Sequence, residues 1–150
     1  MTVAPDPDWS YLGLDPATFV VEVPDSLDGL LGFGFEPPDS HQVMRGRFTV
    51  TEAHCQQYGI VHGGVYAVFA ESLASISTVL AVFAEGRIAV GQSNMTSLLA
   101  SVGPGTEIHG EARPVHRGRT SWVWHVTMTD ADGKACAVST VTMAVRERRW

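Results

Sequence analysis

Hydrophobic and polar positions divide the chain into two strands, one long helix and four further strands. Before the helix, LLGFGFE (30–36) has a strand-like composition, and VMRGRFTV (43–50) alternates apolar with polar residues, which is typical of a half-buried strand. Met44, Phe48 and Val50 lie on its apolar face. After the helix, four segments have strand patterns separated by turn residues: 88–99, 106–116, 120–130 and 134–146.

The helix is predicted from an apolar run at residues 65–83. At about 100° per residue, its bulky side chains share one sector, which we expect to fill the concave face of a sheet: Phe69, Leu73, Ile76, Val79, Leu80 and Phe83. The opposite sector holds small residues and one acid: Ala67, Glu71, Ala74, Ser75, Thr78 and Ala81. Small side chains allow another backbone or a ligand to come close, so this face is predicted to be a contact surface.

These elements favour an α+β fold in which an antiparallel sheet wraps around one long central helix. Trp122 and Trp124 alternate on one strand, which indicates core positions more than an aromatic pocket. The apolar run approaches the ~20 residues that span a bilayer, but polar residues interrupt it and it lacks basic flanks. We therefore predict a buried helix and no membrane segment.

The N-terminal residues differ from the rest of the chain. Residues 1–28 contain four of the eight prolines and are predicted to form an arm, with a short helix near Asp15–Val20 that begins with a proline. No repeat or linker divides the remainder, so residues 29–150 are predicted to form one domain.

The composition argues against several classes of function. A formal net charge of −6 argues against nucleic-acid binding, which requires a basic face. Cys55 and Cys136 fit neither a disulfide framework nor a metal-ligand pattern, so no metal is expected and reduced thiols in a cytoplasmic protein are predicted. The N-terminus has no signal-peptide pattern.

Glu71 is the one acid in the apolar helix, and no Lys or Arg lies within a helical turn of it. An in-helix salt bridge is therefore absent, and a desolvated carboxylate is a catalytic candidate. At the helix start, Gly63 and Gly64 leave backbone N–H groups accessible to a ligand oxygen. An acid two turns beyond a donor-rich N-terminus suits an attacking carboxylate and a polarised carbonyl.

Four stretches resemble the signature of the hot-dog-fold acyl-CoA thioesterases: QYGIVHGGVYAVFAESLAS (57–75), AVGQSN (89–94), HRGRTSWVW (116–124) and CAVST (136–140). Within that superfamily the chain most resembles the Arthrobacter-type 4-hydroxybenzoyl-CoA thioesterases, and it is also similar to the PaaI-like and 1,4-dihydroxy-2-naphthoyl-CoA thioesterases. The likeness extends from about Ser26 to Arg149. It implies a hot-dog fold and hydrolysis of an aromatic acyl-CoA.

The resemblance also implies a role for each of five residues. Glu71 would be the nucleophile or the general base for water, and the Gly63 amide would bind the thioester carbonyl oxygen. His62 would shape the turn, Gln56 would orient the water or the carboxylate, and Ser75 would support the acid. In the family these residues meet across a subunit interface, which implies a homo-oligomer, usually a tetramer.

For the coenzyme, the resemblance implies phosphate contacts from Arg119, Thr120 and Arg149. Coenzyme A is part of the substrate, so no separate cofactor is expected. Relatives often carry an arginine after the strand at 88–99, where this chain has Ala100. One phosphate contact is therefore expected to be missing or to come from Arg117 or Arg119.

Other activities remain alternatives. The acyl group could be naphthoyl, phenylacetyl or medium-chain, and a non-catalytic acyl-CoA-binding module is a more remote alternative. A dehydratase is disfavoured because the chain lacks the His-x-x-x-x-Gly-x-Pro arrangement. A serine hydrolase is disfavoured because GQSNM (91–95) lacks the second glycine of the nucleophile elbow.

Overall fold

A computed structural model of the chain describes residues 26–149. The short helix predicted near Asp15–Val20 lies outside the described residues. In chain order the elements are α1 (Leu27–Leu30), β1 (Gly34–Phe35), β2 (Met44–Thr49), α2 (Gly63–Val82), β3 (Arg87–Leu98), β4 (Glu107–Arg117), β5 (Ser121–Asp130) and β6 (Ala135–Glu147), with 3₁₀ turns at Glu52–His54 and Phe83–Glu85.

The six strands form one antiparallel sheet in the order β1-β2-β4-β5-β6-β3. The sheet curls around α2, which contacts every strand from β2 to β6. This arrangement confirms the predicted α+β fold with one central helix. Strands β1 and β3 form the two edges of the sheet, and β3 is 12 residues long.

The first predicted strand is shorter than its composition suggested. Leu30 ends α1, and Gly32 follows with a left-handed φ of +64°. The Gly32 and Phe33 N–H groups donate to the carbonyls of Gly29 and Asp28, which is the Schellman pattern that ends a helix. The glycine therefore stops α1, and only Gly34–Phe35 remains to pair with β2.

The buried face of α2 is rotated from the predicted one. Phe69, Leu73 and Leu80 are buried as expected, but Ile76, Val79 and Phe83 are only half-buried. Ala74 and Thr78, which were predicted to lie on the contact surface, are buried beneath the sheet. Their small size lets β5 come close.

A buried hydrogen bond explains the position of Thr78. Its Oγ1 accepts a hydrogen bond from Trp124 Nε1 at 2.9 Å and donates to the Ala74 carbonyl at 2.7 Å. A buried indole N–H requires such a partner. Trp122 and Trp124 are both buried, at 8% and 0% exposure, as the alternation on β5 predicted.

By length and hydropathy alone, Gly63–Glu85 is able to cross a bilayer, with a mean hydropathy of 1.8. Ten of the 20 residues of α2 are nevertheless buried, because the curled sheet covers one side of the helix. An apolar helix in that setting is the core of a globular fold.

Two paired glycines let the sheet approach the helix closely. Gly46 on β2 lies opposite Gly110 on β4. A Cβ at Gly110 would lie 2.5 Å from Phe69 Cε1 and 2.7 Å from Leu73 Cδ1. A Cβ at Gly46 would lie 2.6 Å from the Gly34 carbonyl oxygen on β1 and 3.1 Å from Leu73 Cδ2 on the helix. Neither position has room for a side chain.

Replacing Gly46 with Ala is expected to lower the free energy of unfolding by about 1–3 kcal/mol, the usual cost of overpacking. Gly34→Ala is the matched control, since its Cβ would meet only the Arg47 carbonyl oxygen, at 3.7 Å. The control should change stability by no more than about 0.5 kcal/mol. Urea denaturation measures both variants, and equal loss in the two would contradict the close-approach argument.

Candidate active site

The N-terminus of α2 is built by a short loop that His62 caps. The His62 Nδ1 accepts a hydrogen bond from the Gly64 N–H at 2.9 Å, and its carbonyl accepts from the Val65 N–H at 3.0 Å. Within residues 26–149 the Gly63 N–H has no hydrogen-bond acceptor. His62 thus acts as the helix cap, and the Gly63 donor remains available to a ligand.

The loop before this cap is anchored by a buried histidine that the sequence did not single out. His54 is 4% exposed, and its Nδ1 accepts from the Thr51 N–H at 2.8 Å while its Nε2 donates to the Leu31 carbonyl at 2.9 Å. An isolated antiparallel β-bridge between the backbones of Cys55 and Val61 closes the loop. These contacts hold the helix start in place.

Gln56 lies beside the N-terminus of α2. It is half-buried and lines a cavity of about 160 Å³ with Tyr66 and Leu98.

Burial raises the pKa of the Tyr66 hydroxyl, and the neighbouring Cys136 thiol raises it further. Burial also raises the pKa of Cys136. Both groups are therefore protonated near neutral pH, and neither fits the role of base or nucleophile.

Glu71 lies two turns further along α2 and lines a different cavity, of about 450 Å³. Its side chain is exposed in the described chain, so the expectation of a desolvated carboxylate is wrong for this structure. Asn94 on β3 reaches Glu71 Oε2 with its Nδ2 at 3.4 Å. A Cβ at Gly91 would overlap the Glu71 carboxylate, at 2.9 Å from its Cδ, so this glycine leaves the carboxylate room above the strand.

The opposite wall of this cavity comes from α1. Leu27 faces the cavity together with Val68 of α2. Beside them, the Asp28 carboxylate accepts a hydrogen bond from Ser72 Oγ at 2.6 Å. The cavity therefore has an apolar wall, one carboxylate at Asp28 and a second at Glu71.

The structure separates the predicted catalytic residues into two groups. Gln56, His62 and Gly63 are at the start of α2, whereas Glu71 and Ser75 are two and three turns beyond. Eight residues of α-helix rise about 12 Å. A donor and an attacking atom that act on one carbonyl each lie about 3 Å from it. Within one chain, Gly63 and Glu71 are therefore too far apart to act on the same carbonyl.

The predicted coenzyme residues meet in one basic cleft. Arg119, Thr120 and Arg149 line a cavity of about 650 Å³ together with Arg87 and Arg146. Within residues 26–149 neither Arg119 nor Arg149 forms a salt bridge. This cleft is suited to binding phosphate groups.

The two additional arginines of the cleft also shape its wall. Arg87 Nη1 donates to the Arg119 carbonyl at 3.0 Å, and Arg146 Nη1 donates to the Thr120 carbonyl at 3.1 Å. Sequence reasoning missed Arg87 because it is distant from the other residues in the chain. It also missed Asn94, although Asn94 lies within the quoted motif AVGQSN (89–94).

Residues 58–137 match the family model described as the thioesterase superfamily. A Mycobacterium tuberculosis protein named as an esterase is 36% identical over 149 residues, covering 97% of this chain and 98% of that protein. The 1,4-dihydroxy-2-naphthoyl-CoA hydrolase of Listeria monocytogenes is 34% identical over 100 residues, covering 67% of this chain and 80% of that protein.

The crystal structure of a mutant thioesterase from Pseudomonas aeruginosa has the same architecture. It matches with a TM-score of 0.76 at 31% sequence identity, covering 81% of this chain and 86% of that one. The fold, the family match over more than half of the chain and the near full-length relative agree. The chain therefore belongs to the thioesterase superfamily of hot-dog-fold thioester hydrolases.

Proposed function

We propose that the protein hydrolyses an aromatic acyl-CoA of the 4-hydroxybenzoyl type to the free acid and coenzyme A. Glu71 of one subunit attacks the thioester or activates water, and the partner subunit's Gly63 polarises the thioester carbonyl through its N–H. Gln56 and Ser75 orient the water and the carboxylate, while His62 holds the turn. No cofactor is used besides the coenzyme A of the substrate.

The observation that carries this proposal is the cavity of about 450 Å³ onto which Glu71 opens. That volume is within the ~300–1,000 Å³ range of small-molecule sites. Leu27 and Val68 offer an apolar wall for a ring, and the Asp28 carboxylate is an acceptor for a ring hydroxyl. The cavity also has room for a dihydroxynaphthoyl group, the acyl group in the name of the Listeria relative, so that substrate is the second candidate.

The chemistry needs only one carboxylate and one oxyanion donor. The leaving thiolate is weakly basic, since a thiol has a pKa of about 8.5, so no strong general acid is required. If Glu71 attacks, an anhydride forms as the carbon–sulfur bond breaks, and water then cleaves the anhydride. If Glu71 acts as a base, it removes a proton from the attacking water, the carbon–sulfur bond breaks, and Glu71 passes the proton to the departing thiolate. Both routes regenerate the carboxylate.

The exposed edge of β3 supports a shared site between two copies. Its apolar side chains are largely uncovered, with Met95 70% and Leu98 58% exposed, and an open 12-residue edge tends to pair with another strand. Leu98 packs over Gly63, while Gly91 lies beneath Glu71. Antiparallel pairing of β3 with its two-fold-related copy, centred near Asn94, would bring the Gly91 end of one strand beside the Leu98 end of the other.

Such pairing would join the two groups of residues described above into one site. Glu71 of one copy would then lie beside the N-terminus of α2 in the other copy. A two-fold axis would create two identical sites per dimer, and two dimers would form the proposed tetramer.

We also propose a cytoplasmic location, since both cysteines are free and the substrate class is cytoplasmic.

Glu71→Ala and Glu71→Gln should lower kcat by at least about 10²-fold, the usual contribution of a positioned acid–base group. Free thiol release is measured with 4-hydroxybenzoyl-CoA, 1,4-dihydroxy-2-naphthoyl-CoA, phenylacetyl-CoA and a medium-chain acyl-CoA. Glu36→Ala is the control, because Glu36 is exposed near β1, at the opposite edge of the sheet. Full activity in Glu71→Ala, or no turnover of any thioester by the parent protein, would refute the proposal.

Mixed oligomers test whether the site is shared. Gly63→Pro removes the proposed N–H donor, and proline is tolerated at the first position of a helix. His62 already has φ −68° and ψ 132°, which suits a residue before proline. Gly63→Ala keeps the N–H but places a Cβ against Leu98, so it controls for the steric effect.

We expect Gly63→Pro and Glu71→Ala to be inactive as separate homo-oligomers. Co-expressed in equal amounts they should recover about a quarter of the parent activity, since random pairing in two-fold dimers restores one of four sites. No recovery in stable mixed oligomers would mean that both groups act within one chain.

Arg119→Ala and Arg149→Ala should each raise KM for the acyl-CoA about fivefold with little change in kcat, as expected for loss of an exposed ion pair. The KM for an acyl N-acetylcysteamine thioester, which lacks the nucleotide, should not change. Arg148→Ala is the control, because the Arg148 guanidinium lies over the Phe83 ring at 4.7 Å. An equal KM change for both thioesters would contradict a nucleotide-binding role for the cleft.

A further inference from the structure

Asn94 connects the edge strand β3 to the helical turn that carries Glu71. Its Nδ2 donates to the Ala67 carbonyl at 2.8 Å and reaches Glu71 Oε2 at 3.4 Å. Ala67 precedes Glu71 by four residues, so its carbonyl is also the helical acceptor of the Glu71 N–H. One side-chain amide therefore contacts both the backbone turn and the carboxylate of the same acid.

Two hydroxyl groups fix the orientation of this amide from the other side. Thr96 Oγ1 donates to Asn94 Oδ1 at 2.9 Å, which turns Nδ2 toward the helix. A hydroxyl has one proton, so Thr96 must accept in its 2.7 Å contact with Ser139 Oγ. Ser139 is 2% exposed and is the donor in that pair. Ser139 therefore donates to Thr96, Thr96 to Asn94 and Asn94 to Glu71, so the hydrogen bonds run from the sheet toward the carboxylate.

The pairing register of β3 with β6 places Asn94, Thr96 and Ser139 next to one another on the face toward the helix. Asn94 and Thr96 are two residues apart on β3 and so project to the same face. Thr96 lies directly opposite Ser139 on β6, and Asn94 lies opposite Val141. A one-residue slip would turn both polar side chains away from the helix.

We propose that Ser139, Thr96 and Asn94 form a hydrogen-bond relay that holds the Glu71 carboxylate in the orientation needed for attack. Aligned hydrogen bonds polarise one another, which strengthens the last bond in the chain. Gly91 on the same strand leaves space for the carboxylate, so β3 both supplies a donor and removes an obstacle. This inference rests on the proposed function of Glu71. Asn94 and Thr96 are positioning residues in it.

Thr96→Val keeps the shape of the side chain but removes the donor to Asn94. It should lower kcat about tenfold, since a misplacement of about 1 Å can cost up to about 10²-fold. KM and oligomeric state should not change. The buried Ser139 hydroxyl loses its acceptor, so the melting temperature should fall by a few degrees. Thr96→Ser restores the hydroxyl and should keep the parent kcat. Asn94→Asp places an acceptor opposite both Ala67 and Glu71 and should lower kcat by about 10²-fold.

The matched control is Thr140→Val on β6. Thr140 is exposed and adjacent in sequence to Ser139, and its side chain projects to the other face of the sheet. The parent protein and all variants are assayed as full chains with 4-hydroxybenzoyl-CoA and 1,4-dihydroxy-2-naphthoyl-CoA. A selective loss of kcat in Thr96→Val and Asn94→Asp, with recovery in Thr96→Ser, supports the relay.

Three other outcomes would overturn it. Parent-like kcat in Thr96→Val, beside an inactive Glu71→Ala, rejects the relay and leaves the proposed function standing. A loss of kcat in Thr140→Val as well, or a loss in Thr96→Val that is absent at assay temperatures well below its melting transition, indicates a structural role only. Absence of hydrolysis by the parent protein rejects the proposed function, and this outcome is seen before any substitution is made.

Discussion

The packing of α2 inside the curled sheet fixes the positions of the Gly63 and Glu71 backbones, which carry the proposed donor and the proposed attacking group. The helix is held by five strands, and its contact with the sheet is close because Gly46 and Gly110 carry no side chain. A helix held in this way has a constant rise per residue. The N–H at Gly63 and the carboxylate at Glu71 therefore keep their separation, and neither can move to meet the other within one chain.

The fixed separation of Gly63 and Glu71 matters for the proposed function because both residues lie beside the edge strand β3. It lies along α2, with Leu98 over Gly63 and Gly91 beneath Glu71, so both halves of the proposed site border the same edge strand. An exposed edge strand is a template for pairing with another chain. In the proposed dimer, the strand whose edge is covered is also the strand whose pairing completes the site. Assembly and activity then depend on the same contact.

Much of the fold was predictable from the sequence because the signals for its strands and its long helix are local. Alternation identified five of the six strands closely, and the apolar run identified α2. Leu30 was placed in a strand because the turn at Gly32 depends on hydrogen bonds that composition does not reveal. Thr78 was placed on a contact face because its partner, Trp124, is 46 residues away. Asn94 and Arg87 were missed for the same reason. Their roles come from pairing between strands and helices that are distant in the chain.

The exposure of Glu71 in the single chain gives the shared site a second justification. An exposed carboxylate is solvated by water, which weakens both its attack and the effect of any nearby donor. A second subunit across β3 would remove that water at the same moment that it supplies the oxyanion donor. The Asn94 amide would then remain as a fixed donor to the carboxylate after the solvent has gone, and a fixed dipole does not have to reorganise during the reaction. On this view the relay replaces hydration at Glu71, and subunit association supplies the rest of the catalytic environment.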